Sequence, residues 1–147
     1  MIRKITDSDR ETYLQLATEF YESDAVLHNI PAEHISGTFE EMTTSDRYAE
    51  GYFFEVDHLI AGYALLAKTY SQEAGGEVLW IEEIYIRPEF RSNGLGREFF
   101  QYLEDNKSDR VKRIRLEVEE DNALAVSLYE RLGYERLEYD QMIKDFS

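Results

Sequence analysis

The sequence predicts an α/β fold: one mixed, mostly antiparallel sheet with helices on its faces. Three observations lead there. Apolar residues recur with helical period in four stretches, and strand-like stretches lie before, between and after them. The elements come in the order β-α-α-β-β-β-α-β-α-β-β. Only one strand–helix–strand unit in that order, residues 78 to 118, calls for a parallel pair side by side. With 147 residues, two prolines and no repeat or low-complexity segment, the chain has the length of one domain. Such a length buries about two-thirds of the unfolded surface.

The first residues, MIRKIT, read as a short strand, and Ser8 to Glu11 has the form of a capping box that opens a helix. Tyr13, Leu16, Ala17 and Phe20 then follow at i, i+3, i+4 and i+7, the stripe of an amphipathic helix that fades near Ser23. After the linker DAVLHNIPAEH, Pro31 suits a helix's first turn and Ile35, Phe39 and Met42 continue an apolar face. From Tyr52 the period changes. YFFEV, the turn Asp57-His58 and LIAGYALLA form a predicted hairpin with a bulge at Gly62. A loop, EAGGE, leads to the strand VLWIEEIYI. A helix begins at Gly94 with Leu95, Phe99, Tyr102 and Leu103 on one face, and VKRIRLEV alternates as the next strand. Asn122 caps the helix ALAVSLYERL, and Gly133 stands where a left-handed C-terminal cap belongs. Two last strands are expected near Tyr134 to Tyr139 and Met142 to Phe146.

The formal charge of −15, from 31 acidic against 16 basic residues, argues against nucleic acid and anionic membrane as partners and favours a cationic one. Without cysteine there is no disulfide, thiolate metal site or cysteine nucleophile. His28, His34 and His58 lack the spacing of metal ligands, so no metal is expected. No apolar run approaches the ~20 residues of a membrane span, and the N-terminus lacks the apolar core of a signal peptide. The expected location is cytoplasmic.

Against this acidic background, Arg87, Arg91 and Arg97 crowd around Gly94 and Gly96. A strand running into glycines and then a helix aims backbone N–H groups and the positive end of the helix dipole at one spot, which suits a phosphate. A P-loop would need Lys-Ser/Thr after Gly96, where Arg97 and Glu98 stand, and a dinucleotide fingerprint would need a small residue at Phe99. What remains is Arg91-x-x-Gly94-x-Gly96, and with it the sequence resembles the GNAT superfamily of acyl-CoA-dependent N-acetyltransferases. A second motif agrees: NALAVSLYERLGY is similar to that family's Asn-x-x-Ala-x-x-x-Tyr helix. The order of elements matches the GNAT fold from residue 2 to about 146.

The resemblance implies acetyl-CoA as co-substrate. Its pyrophosphate would lie on Arg91, Ser92, Asn93, Gly94, Leu95, Gly96 and Arg97. Backbone groups of Ile84, Tyr85 and Ile86, on a strand that splays from its neighbour, would take pantetheine and the thioester oxygen, with Asn122 also on pantetheine. Tyr129, two helical turns beyond Asn122, would protonate the departing thiolate. Glu82 matches the catalytic carboxylate of members that acetylate small polyamines, with Glu83 or a bound water as alternatives. The acidic run Glu117 to Asp121 is read as a solvated loop, with attraction of a cationic acceptor as the alternative. The expected acceptor is a small primary amine, transfer is direct, and a homodimer is admitted. A protein N-terminus or lysine and an amino-sugar antibiotic are rival acceptors. A non-catalytic acyl-CoA sensor on the same fold is the rival from outside enzymology.

Overall fold

The computed structural model describes every residue except Leu27, in the predicted linker, and Ser147. These residues fall into two compact units, Met1–Leu116 and the part from Glu117 on.

The first unit is a five-stranded sheet in the order β1-β2-β3-β4-β5, comprising β1 (Ile2–Lys4), β2 (Ala49–Val56), β3 (Leu59–Ser71), β4 (Gly76–Ile86) and β5 (Val111–Leu116). Every neighbouring pair is antiparallel except β4 and β5, which are parallel as the connecting helix requires. Asp57 and His58 make the hairpin turn with φ of 50° and 66°, the left-handed pair that matches the twist of the flanking strands. The bulge of this hairpin falls one residue before the expected one. Phe54 faces Gly62 and Glu55 faces Ile60, so Ala61 is the extra residue and Gly62 stays in register.

Helices α1 (Arg10–Tyr21) and α2 (Ala32–Thr44) bury their predicted stripes on one face of the sheet. Tyr13, Leu16, Ala17, Phe20, Ile35, Phe39 and Met42 pack there with Ile5, Phe53, Tyr63 and Tyr85. Helix α3 (Leu95–Asn106) covers the other face, where Phe99 meets Phe54 with ring centres 5.4 Å apart. Phe53 and Phe54 thus serve opposite cores because successive strand residues point to opposite sides. Each such side chain contributes about 1.5–3 kcal/mol by leaving water.

The start of α1 departs from expectation. The capping box lies two residues earlier than Ser8, at Thr6, whose N–H donates to Asp9 Oδ2 at 2.8 Å across a 3-10 turn, Asp7–Asp9, and Asp9 is the N-cap of α1. Arg3 decides this by gripping Asp9 through both oxygens at 2.8 and 3.0 Å, a contact from β1 that a local spacing rule does not see.

In the second unit, α4 (Ala123–Arg131) begins at the expected cap, with Asn122 Oδ1 accepting from Ala125 N–H at 3.2 Å, and closes at Gly133 with φ of 94°. The two C-terminal strands are not formed. Residues 134 to 146 carry no strand, and Met142 and Ile143 are 95% and 87% exposed. Apolar alternation prepares a segment for a sheet, but a strand exists only where another strand's N–H and C=O groups line up with it.

Candidate active site

The C-terminal half of β4 is shaped by a second bulge. Leu65 faces Glu83 while Leu66 faces Ile81, which leaves Glu82 as the extra residue. At the same point the parallel partner stops: the last β4–β5 pair is Ile81 with Leu116. Beyond it, β4 continues with β3 alone. Arg87 N–H donates to Ala61 O at 2.8 Å, which fixes the parity of the ladder. Tyr85 and Glu83 therefore turn their backbone groups to β3, whereas Ile84 and Ile86 turn theirs to the side that β5 has left. Of the three residues expected to offer backbone groups to a ligand, Ile84 and Ile86 have the open orientation. The amide of Tyr85 is spent on the sheet.

From Ile86 the chain passes a 3-10 turn, Pro88–Phe90, into the glycine loop. Arg91 Nε donates to Ile86 O at 2.8 Å and Asn93 Nδ2 donates to Phe90 O at 3.0 Å, so both side chains shape the loop. Ser92 and Gly94 have φ of 66° and 75°, and Gly94 is the N-cap of α3. The N–H groups of Leu95, Gly96 and Arg97 have no acceptor within the helix, since the ladder starts with Glu98 N–H to Gly94 O at 2.9 Å. No heavy atom lies within 4 Å of where a Cβ would project from Gly94 or Gly96. Open space over unpaired amides, with Arg91 and Arg97 exposed beside it, fits a pyrophosphate. Arg87 does not belong to this set: its guanidinium holds both oxygens of Glu19 on α1, at 3.1 and 2.8 Å.

The paired carboxylates on β4 have different surroundings. Glu82, on the bulge, is exposed. Glu83 is half-buried, and both of its oxygens accept from phenols: Oε1 from Tyr63 at 2.6 Å and Oε2 from Tyr21. Burial, and then the carboxylate charges, push the hydroxyls of Tyr21 and Tyr63 well above the usual phenol range, so both keep their protons. Glu19 completes the group: hydrogen bonding from Arg87 holds its carboxyl below the usual range, and Tyr85 Oη donates to it at 3.2 Å. Residue spacing did not find Tyr21, Tyr63 or Glu19. The one signal was Tyr21 four residues after Ala17, at the edge of the α1 stripe and beside the linker.

In the second unit, Tyr129 lies on α4 seven residues after Asn122. Its ring meets Tyr134 edge-on at 6.1 Å, and burial pushes its hydroxyl above the usual phenol range. Among the described residues, no group of three His, Cys, Asp or Glu side chains is placed to hold a metal ion, and no helix is long and apolar enough to cross a membrane.

The acetyltransferase (GNAT) family pattern matches residues 10–134. The chain belongs to this family. It is an acetyl-CoA-dependent N-acetyltransferase. Among curated relatives, a thialysine N-epsilon-acetyltransferase of Mus musculus is 26% identical over 150 residues, covering 92% of this chain and 84% of its own length. A spermine/spermidine N(1)-acetyltransferase of Bacillus subtilis is 25% identical, covering 91% and 86%. Among solved structures, a possible acetyltransferase from Clostridium difficile 630 shares the fold with a TM-score of 0.83 at 19% identity, over 100% of this chain and 97% of its own.

Proposed function

We propose that this acetyltransferase transfers acetyl directly from acetyl-CoA to a small cationic amine of the diamine or polyamine kind. The observation that carries the reading is the pair Glu82 and Glu83, which stands at the bulge where β4 loses β5. Two carboxylates beside the open strand edge attract an ammonium group, and the half-buried ring of Tyr21, packed edge-on against the buried Phe20 at 5.1 Å, offers apolar surface to its carbon chain. The net charge of −15 draws a cation in and disfavours anionic acceptors. The relatives named for thialysine and for spermine and spermidine, both small amines, support the same class.

Acetyl-CoA supplies an acetyl group activated as a thioester. In this reading the first-turn amides of α3, with Arg91 and Arg97, hold the pyrophosphate. The open amides of Ile84 and Ile86 hold pantetheine and the thioester oxygen, where a donor aimed at the developing negative charge is worth a few kcal/mol. On the second unit, the family resemblance assigns Asn122 to pantetheine and Tyr129, whose hydroxyl burial pushes above the usual phenol range, to protonation of the thiolate. Glu82 receives the ammonium, and Glu82, Glu83 or a bound water takes its proton before attack.

The test is release of free thiol from acetyl-CoA with spermidine, thialysine, a lysine peptide and an aminoglycoside offered separately. Turnover is expected with the first two, with kcat/KM at least ten-fold above the others. Acetyl-CoA binding without turnover on any amine would refute the reading and favour a sensor. Preference for the peptide would move the acceptor class to proteins.

A further inference from the structure

Glu83 is set apart from an ordinary surface carboxylate by having a phenol on each oxygen. The two phenols are not equivalent. Tyr63 is 0% exposed, and Tyr13, edge-on to it at 5.5 Å, is 1% exposed, so neither meets a substrate. Tyr21 is half-buried, on the last residue of α1 at the mouth of the linker. Tyr21 is thus the partly accessible one of the two phenols, and its hydroxyl donates to Glu83 Oε2. Glu82, the exposed bulge residue, adds its negative charge near the same hydroxyl.

Resting on the function proposed above, we infer that Tyr21 is a catalytic residue: its hydroxyl takes the proton of the acceptor's ammonium while passing its own proton to Glu83 Oε2. The N–H bond breaks and its electron pair stays on nitrogen, which becomes the neutral nucleophile. A new O–H bond forms on Tyr21 as the old one breaks, and Glu83 becomes a carboxylic acid. No electron enters or leaves. The proton later returns to solvent through the same hydroxyl.

The surroundings allow this step. From β3, Tyr63 faces Glu83 and keeps Oε1 hydrogen-bonded in either protonation state. From α1 come Tyr13 and Tyr21, and Glu19, which is occupied by Arg87 and Tyr85. On β4 itself the charged neighbour is Glu82. From α2 the residues packed into this core are Ile35, Phe39 and Met42, which carry no charge. Among the described residues no Lys or Arg forms an ion pair with Glu83, so no fixed cation competes for the carboxylate. A phenol raised above its usual range does not act as a free base. It moves a proton only by accepting one as it gives one, which is the role assigned to it. Glu82 is left to attract the cation.

The experiment is the pH dependence of kcat/KM for the best amine in the parent, Tyr21→Phe, Glu83→Gln and the double variant. Tyr21→Phe keeps the ring and its packing on Phe20 and removes only the hydroxyl. The expected loss is about ten- to a hundred-fold near pH 7. It should shrink as the solution nears the amine's own pKa, roughly 10 for a lysine-like group, because solvent then supplies the neutral amine. KM for acetyl-CoA should stay within about two-fold, and Glu83→Gln should show the same profile. The double variant should lose no more than either single one, since both belong to one relay. A loss of equal size at every pH, or additive losses in the double variant, would overturn the relay while leaving the acceptor class standing. If Tyr21→Phe does not fold, the profile of Glu83→Gln decides alone. A parent that acetylates no amine would overturn the function and the relay together.

Discussion

Gly62 sets how close β3 comes to the end of β4, and Gly62→Ala tests whether the site depends on that closeness. Gly62 stands opposite Ile86, and its φ lies outside the left-handed region, so an added Cβ acts through space alone. That Cβ would overlap the carbonyl oxygen of Tyr85 and lie 2.9 Å from Ile86 Cα and 3.1 Å from Tyr85 C. Ordinary carbon–carbon contact is about 3.5–4.0 Å and carbon–oxygen contact about 3.3 Å, so β4 has to back away by roughly 1 Å. The obstacle is backbone, and a rotamer change cannot relieve it. Overpacking costs typically 1–3 kcal/mol, and an overlap with main chain belongs at about 3. At about 2–4 °C per kcal/mol for a chain of this size, Tm should fall by roughly 6–12 °C. The same shift moves the amides of Ile84 and Ile86, so at a temperature where the variant is folded, KM for acetyl-CoA should rise about ten-fold. Differential scanning calorimetry and steady-state kinetics on one preparation measure both. A Tm within about 1 °C of the parent, with KM unchanged, would refute the reasoning, because it would mean that the two strands are not in contact at this point.

Gly96→Asp should separate binding from folding. A carboxylate in the first turn of α3 suits the helix dipole by up to about 1 kcal/mol, so Tm should be unchanged or higher by up to about 2–4 °C. It also occupies the open space over the loop amides, so acetyl-CoA affinity measured by calorimetric titration should fall on the order of a hundred-fold, about 2.7 kcal/mol. The Glu19–Arg87 pair predicts a pH signature in stability. The folded carboxyl of Glu19 is held below its ordinary value, so its contribution is fully present above that ordinary value, about pH 4–5, and is lost as pH falls through the folded value. Glu19 side-chain exposure is 31%, and screened pairs of this kind are worth up to about 1 kcal/mol. The Tm gap between the parent and Glu19→Gln should therefore be roughly 2–4 °C at pH 7 and close towards pH 3, measured by thermal melts across pH. A gap that does not change with pH would assign Glu19 to packing alone.

The sequence alone determined the elements whose signals are local. The stripe Tyr13, Leu16, Ala17, Phe20 made α1 legible because a helix buries one face at fixed spacing. The glycines at 94 and 96 followed by a helical face marked a helix start with open amides, because φ at Gly94 and the unpaired first-turn amides arise within a few residues of chain. The cap at Asn122 and the left-handed Gly133 are local in the same way. Tertiary structure decided what depends on a partner distant in sequence. The two strands expected after Gly133 are not formed by residues 134 to 146, because pairing is a property of two segments. Arg87 read as part of an anion site until Glu19, 68 positions away, took its guanidinium. The adjacent Glu82 and Glu83 could not be told apart by composition. The bulge set against Leu65 and Leu66 leaves one exposed, and Tyr63 and Tyr21, 20 and 62 positions away, enclose the other. Chemistry at a carboxylate depends on what donates to it, and that is fixed only when strands and helices pack.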